Sequence, residues 1–160
     1  MKRNLLQRLE LKLPPPLLAG LTGGAMWLTA RQLPALAVDV DWPGQQAIAV
    51  ALALSGVLID LAGAVAFYRA RTTINPLTPG QSAAVVTRGI YRFSRNPMYL
   101  GVLLILGGWA IFLAHPLACL GLPLFVAIVT RLQIQPEERI LGEKFGAHYA
   151  AYAARVRRWL

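Results

Sequence analysis

A chain of 160 residues is enough for one domain, with 56% of it hydrophobic and 14% charged; soluble domains average about 45–50% and about 25%. The apolar residues fall into long blocks, which excludes the usual soluble amphipathic pattern and points to an integral membrane protein. Sixteen Lys and Arg against seven Asp and Glu give a net charge of +9, but these bases collect at the ends of apolar blocks with no nucleic-acid motif beside them, so they read as membrane-topology charges and not as an RNA or DNA surface.

The first residues, MKRNLLQRLELKLPPP, do not form a good signal peptide, because charge interrupts the apolar stretch and no small-residue cleavage site follows. Four candidate spans come next, over about residues 16–33, 46–68, 97–114 and 117–132. The last two reach only about 25 Å at ~1.5 Å per residue, and little more than His115-Pro116 joins them. They read as a tight helical hairpin, or else as a re-entrant pair that does not cross fully. If all four cross, fifteen of the sixteen bases share one side and only Arg31 lies opposite, with Asp39 and Asp41 in its loop. The positive-inside rule then puts both termini and the connector of residues 69–96 in the cytoplasm, and the expected location is a cell's inner (plasma) membrane. The expected fold is all-α: four transmembrane helices plus a C-terminal amphipathic helix, in a single membrane-integral domain over residues 1–160.

Within the second span Asp60 stands out, since an acid there is costly and usually faces a protein or water-filled interior. It pairs with Arg88, Arg92 or Arg95, contacts a ligand, or sits at the lipid edge. Pro79-Gly80 breaks the connector into a loop. At the threshold of the third span, Asn96 suits an N-cap and Pro97 the first helical position. Arg92 and Arg95 beside them serve lipid phosphates, or the helix N-terminus holds an anionic ligand group with Tyr99 one turn in. The lone Cys119 allows no internal disulfide and no zinc cluster, so no metal is expected.

After the fourth span, Pro136 reads as a helix start, with Glu137 and Glu138 in its first turn. Leu141, Phe145, Tyr149, Tyr152, Val156 and Trp159 then form one apolar helical stripe. That is the pattern of a basic amphipathic helix lying on a membrane surface. The hairpin carries the chain into the membrane at Asn96 and returns it near Glu137. An Arg-Asn-Pro-Tyr rim and a Glu-Glu rim should therefore face each other at the cytoplasmic interface. A ligand bearing a carboxylate together with ammonium or hydroxyl groups would bridge them. S-adenosylmethionine has this set, and NADPH would also suit the arginines.

The two stretches GIYRFSRNPMYLG (residues 89–101) and EERILGEKFGAHYAAY (residues 137–152) together resemble the isoprenylcysteine carboxyl methyltransferase and phospholipid methyltransferase superfamily of membrane proteins. The resemblance implies methyl transfer from S-adenosylmethionine without a soluble Rossmann domain, and no G-x-G-x-x-G follows a strand here. It covers the C-terminal 40% or so of the chain and centres on residues 83–152. Carried over position by position, it implies cofactor contacts at Ala83, Ala84, Val85 and Val86 just before the motif. It implies further contacts at Tyr91, at Asn96, Pro97, Met98 and Tyr99, and at the acidic pair Glu137 and Glu138. Carboxyl methyltransferases carry a basic residue four positions before the first Glu, where this chain has Gln133. The G-x-G motif of the phospholipid branch has no counterpart in a matching place. Carboxyl O-methylation and amine N-methylation therefore both stay open. The acceptor is expected to be lipid-like or prenylated and to enter from the bilayer among membrane lipids, its head oriented by Arg95, Arg131 or Asp60. An NADPH-dependent reductase of the sterol reductase type and a non-catalytic membrane scaffold are the alternatives. Nothing in the sequence sets an oligomeric state.

Overall fold

The structure, a computed structural model, describes residues 9–38, 43–73 and 75–160. Lys2, Arg3, Arg8, Asp39 and Asp41 of the topology argument lie outside these. All regular structure among the described residues is helical, with no strand. Helix α1 spans Pro15–Gln32, α2 Gln45–Arg69, α3 Pro97–Leu113, α4 Gly121–Val129 and α5 Gln135–Arg155. Two helical runs are long and apolar enough to cross a membrane: Gln45–Arg69 and the continuous run Ala118–Arg155. Pro97–Leu113 is a shorter apolar helix. The first expected span forms a helix of 18 residues, but its prolines, Gln32 and Arg31 leave it less apolar than those two.

Prolines set several boundaries. Pro15 and Pro16 open α1, where the first-turn N–H groups need no intrahelical partner. The helix stops at Gln32, just before Leu33-Pro34, because a residue preceding proline is pushed out of the helical region. Pro136 has a subtler effect. It does not start a new helix: the backbone passes from α4 through a π turn at Thr130–Ile134 straight into α5. Proline offers no N–H to the carbonyl of Leu132, and the wider turn absorbs its ring. The freed Leu132 carbonyl accepts the Leu11 N–H instead, at 3.0 Å. Residues 9–14 are thereby strapped across the turn. The Gln133 amide also donates to the Leu13 carbonyl at 2.7 Å, and Glu10 pairs with Arg131 at 2.9 Å and Arg139 at 2.7 Å. Hydrogen bonds from Arg139 and Arg131 hold the Glu10 carboxyl below the usual carboxylate range.

The central packing is antiparallel, α2 against α3. Gly56 lies against the Gly101 carbonyl and Ile105, Gly63 against Met98, and Gly108 against the Ala49 carbonyl. Small residues seven apart on each helix let the two backbones touch, the usual means of association where apolar surface alone gives no preference. Gln45 fastens the far end by donating to the Ile111 carbonyl at 2.6 Å. Helices α1 and α4 cover the other side of α3, around Met26, Leu106, Phe125 and Val129. Outward faces remain apolar: Leu21, Leu54, Leu58 and Leu61 are all more than half exposed, as expected of helices bathed in lipid and not of a soluble core.

The amphipathic stripe expected at the C-terminus is corrected here. Gly146 takes φ 49° and ψ −125°, so α5 bends there, and the helix ends at Arg155. Val156 and Trp159 lie beyond it, and Trp159 packs against the core. Tyr149 and Tyr152 are buried. Past the kink, α5 turns Tyr149 and Tyr152 in toward the protein.

Candidate functional site

A cavity of about 410 Å³ is enclosed by the start of α1, the C-terminal half of α2, the connector, the first turns of α3, and α5. Its wall includes Asp60, Ala84, Val85, Val86, Tyr91, Arg95, Asn96, Met98, Tyr99, Glu137 and Glu138. Eleven residues singled out in the sequence thus converge from three separate segments. The second crevice, about 680 Å³ along Trp27, Ala49, Leu106 and Trp109, has no ionisable side chain in its lining and offers no chemistry.

Three predicted residues are not on this wall. Ala83 turns its N–H to the Thr72 hydroxyl at 2.8 Å, and Pro97 is buried as the first residue of α3. Arg131 stands elsewhere, committed to Glu10.

The two rims do meet. The Tyr99 hydroxyl, one turn into α3, donates to Glu137 Oε1 at 2.6 Å. Burial pushes the Glu137 carboxyl up to about 7, the Tyr99 hydrogen bond opposing this and the neighbouring Glu138 adding to it. Its partner in sequence is held quite differently. Glu138 takes a bidentate pair from Arg158, Nε at 3.0 Å and Nη2 at 2.6 Å, and a further contact from Arg95 Nη2 at 3.2 Å. The adjacent glutamates both line the cavity but are held differently, Glu138 by two guanidinium groups and Glu137 by one hydroxyl.

Asn96 sits at the N-cap position, but its side chain makes no cap hydrogen bond. Its amide donates to the Arg158 carbonyl at 2.9 Å, and the Arg95 N–H donates to the Arg157 carbonyl, also at 2.9 Å. The Asn96 amide and the Arg95 backbone N–H are thus spent on the C-terminal tail. Arg158→Ala should strip two hydrogen bonds from Glu138 and loosen this latch. Limited proteolysis should then cut residues 156–160 faster, with the thermal midpoint lowered by a few degrees, about what ~1 kcal/mol produces in a domain this size.

Asp60 lines the cavity but pairs with none of the arginines proposed for it. No cation lies within ion-pair distance among the described residues, and its Oδ1 is buried without a hydrogen-bond partner. Arg95 Nε is likewise buried and unpartnered.

Sequence reasoning named Tyr91 and Tyr99 but missed Phe67, Tyr149 and Tyr152 as part of the lining. Phe67 packs edge-on against Tyr91, with ring centroids 5.4 Å apart, and Tyr149 and Tyr152 meet edge-on at 6.3 Å. Tyr152 donates to the Tyr91 carbonyl at 2.8 Å, fixing the 3₁₀ turn Gly89–Arg92, which Gly89 enters with φ +64°. Burial drives the tyrosines up, Tyr149 to about 12, so they stay neutral donors. The signal was available: a helical stripe that only greases a membrane has no need of hydroxyls, whereas buried tyrosines find partners.

A family model described as phospholipid methyltransferase matches residues 45–148, well over half the chain. The chain belongs to that family. Its residues 45–148 run from the first residue of α2 to just past the Gly146 kink of α5, so the matched region contains α2, α3, α4, the first part of α5 and most of the cavity wall. Among individual relatives, an uncharacterised protein of Haemophilus influenzae is 46% identical over 63 residues, 39% of this chain and all of that one. Protein-S-isoprenylcysteine O-methyltransferase A of Arabidopsis thaliana is 29% identical over 101 residues, and methyltransferase B of the same plant 35% over 75. The chain spans only 51% and 36% of the lengths of these two enzymes. No solved structure is a significant match.

Proposed function

We propose that this membrane protein is an S-adenosylmethionine-dependent methyltransferase acting on a lipid-like or prenylated acceptor at the cytoplasmic face. The single observation carrying the reading is the Tyr99–Glu137 hydrogen bond inside the cavity, which joins the two family stretches in one wall. The cavity fits the cofactor on several counts. Its volume of about 410 Å³ falls in the ~300–1,000 Å³ range of small-molecule sites. Glu137 is a desolvated acceptor suited to an ammonium or a ribose hydroxyl, and Arg95, whose Nε is unpartnered, is the cation among the described wall residues suited to a carboxylate. Tyr91, Tyr149 and Phe67 offer ring faces and edges to an adenine or a cationic sulfur. When bound, the cofactor supplies a methyl group on a positive sulfur, whose carbon–sulfur electron pair stays with sulfur as the methyl leaves. The protein's own work is to hold donor and acceptor in line and keep water out.

In this reading the chain is one domain that crosses the bilayer four times, the third and fourth crossings forming a hairpin, with both termini cytoplasmic in the inner membrane. The cavity then opens on the side where the connector and α5 meet, and the acceptor enters from lipid. The names of the two Arabidopsis relatives make a prenylated thioether with a free carboxylate one candidate acceptor, and the family name makes a phospholipid the other. An NADPH-dependent reductase is disfavoured by the wall's three carboxylates, since the cofactor's phosphates call for cations. Titration of purified protein with S-adenosylhomocysteine tests the reading, together with transfer of labelled methyl into membrane lipid extract. Micromolar binding and a labelled lipid are expected. Binding of NADPH in its place would overturn the reading.

A further inference from the structure

Among the described residues Tyr68 and Phe93 are the most exposed large apolar side chains, at 85% and 73%. Tyr68 stands in the last turn of α2 beside Arg69, and Phe93 follows Arg92 at the close of the Gly89–Arg92 turn. The two segments are clamped together just inside, where Phe67 packs edge-on against Tyr91. Arg71 follows on the first segment and Arg88 precedes on the second, and all four arginines are exposed. No salt bridge among the described residues engages any of them. The chain's seven acids are placed elsewhere. Glu10 is held by Arg131 and Arg139, and Glu138 by Arg158 and Arg95. Asp60 and Glu137 line the cavity. Asp39 and Asp41 belong to the loop before α2, at its opposite end, and Glu143 lies on α5.

We propose that this face docks on anionic phospholipid headgroups of the leaflet at the α2–α3 end of the protein. A guanidinium presents its N–H groups as a planar fork and grips a phosphate through two parallel hydrogen bonds. Aromatic side chains favour headgroup depth, where an apolar body and a polar edge are both served. Charge needed for topology alone would require neither aromatic neighbour, since the positive-inside bias counts bases near a span wherever they point. The end of α2 adds a second sign. The Arg71 N–H returns to the Tyr68 carbonyl at 3.1 Å and the Thr72 N–H to the Phe67 carbonyl at 3.4 Å, a helix ending that commonly puts glycine where Arg71 stands. The chain holds a base there instead, at φ +50°, a conformation that costs a residue with a side chain more than it costs glycine. Zwitterionic headgroups also carry a phosphate, but their ammonium offsets its pull on the four arginines, so net negative lipid is preferred. Phe67 and Tyr91 line the cavity on their other side, so this face backs directly onto its wall. Lipid docking here does not depend on what the cavity binds.

Native mass spectrometry of the full chain in detergent tests this, with dioleoylphosphatidylglycerol and dioleoylphosphatidylcholine offered in equal amounts. Wild type should carry at least five times as much phosphatidylglycerol as phosphatidylcholine. In Arg88→Gln/Arg92→Gln the ratio should fall below twofold, because each base near an anionic surface strengthens attachment about fivefold. Arg155→Gln/Arg157→Gln removes the same charge from other exposed positions and should leave the ratio at fivefold or more. A ratio that Arg88→Gln/Arg92→Gln leaves unchanged overturns the proposal. So does an equal loss in Arg155→Gln/Arg157→Gln, which would mean that total charge and not this face selects the lipid. A dimer that the Arg88/Arg92 substitutions disperse, with lipid adducts unaltered, would assign the face to a second copy of the chain and likewise overturn it. Should Arg88→Gln/Arg92→Gln fail to fold, Arg69→Gln/Arg71→Gln on the other segment decides: loss of the preference supports the proposal, and its persistence overturns it.

Discussion

Glu137→Gln should weaken S-adenosylhomocysteine binding by about 10- to 150-fold while the protein stays folded. A hydrogen bond to a charged group contributes roughly 1.5–3 kcal/mol, and the amide keeps the size of the side chain but not its charge. Glu138→Gln should behave in the opposite way. Its carboxylate is already filled by Arg158 and Arg95, so the loss should appear in thermal stability first and in affinity only through the loosened tail. Isothermal titration of the two variants, run beside thermal unfolding in the same detergent, separates these outcomes. If both lose affinity equally with unchanged stability, the division of labour between the two glutamates is wrong.

The same carboxyl gives a pH signature. Burial raises Glu137 to about 7 in the folded protein, from an ordinary value of 4.5. The folded state thus holds a proton that the unfolded chain releases earlier. Glu137's contribution to stability is full below about pH 4.5 and is lost as pH rises through 7. Ligand binding runs the other way, because the ionised form is the better acceptor for ammonium or hydroxyl groups. S-adenosylhomocysteine affinity should therefore rise from pH 6 to pH 8. Tyr99→Phe removes the one hydrogen bond that lowers the carboxyl, so the rise should move to higher pH. A profile left in place by Tyr99→Phe would show that Glu137 does not titrate in binding.

Much of this site was legible because its parts are local. Pro97 marks the start of α3, and the spacing of apolar blocks places α2 and α3 within a residue or two of where they lie. Given that topology, the meeting of Tyr99 and Glu137 follows from the chain's return to the same side. What escaped depends on contacts between distant residues. Asn96 looks like a cap from its neighbours alone, and only the folded tail supplies the Arg158 carbonyl that takes its amide. Arg131 looked free, but Glu10, more than a hundred residues away, takes it. The stripe from Leu141 to Trp159 was periodic enough for a straight helix, yet Gly146 has no side chain to resist a left-handed φ, and the helix bends there. Pro136 misled because proline both starts helices and widens them, and which it does depends on whether another N–H reaches the orphaned carbonyl.

Two adjacent glycines on α3 should respond in opposite ways to the same change. At Gly107 an added methyl meets nothing within 4 Å, whereas at Gly108 it strikes the Ala49 carbonyl, with the Ala53 nitrogen 3.3 Å away. Replacing glycine by alanine inside a helix gains up to about 1 kcal/mol of helix propensity, so Gly107→Ala should leave the thermal midpoint level or raise it slightly. Gly108→Ala must push α2 off α3, and overpacking against backbone costs about 1–3 kcal/mol, because no rotamer change can relieve it. The midpoint should fall by several degrees in a domain of this size. Affinity tells more than stability. The seam that Gly108 closes continues through Gly56 and Gly101 to Asp60, so spreading it should also displace the acid from the cavity. Gly101→Ala, which thrusts directly on the Asp60 carboxylate, should then impair S-adenosylhomocysteine binding at least as severely as Gly108→Ala, while Gly107→Ala leaves it intact. Equal effects of all three substitutions would mean that helix contact does not position the site, and that the closeness of α2 and α3 serves packing alone.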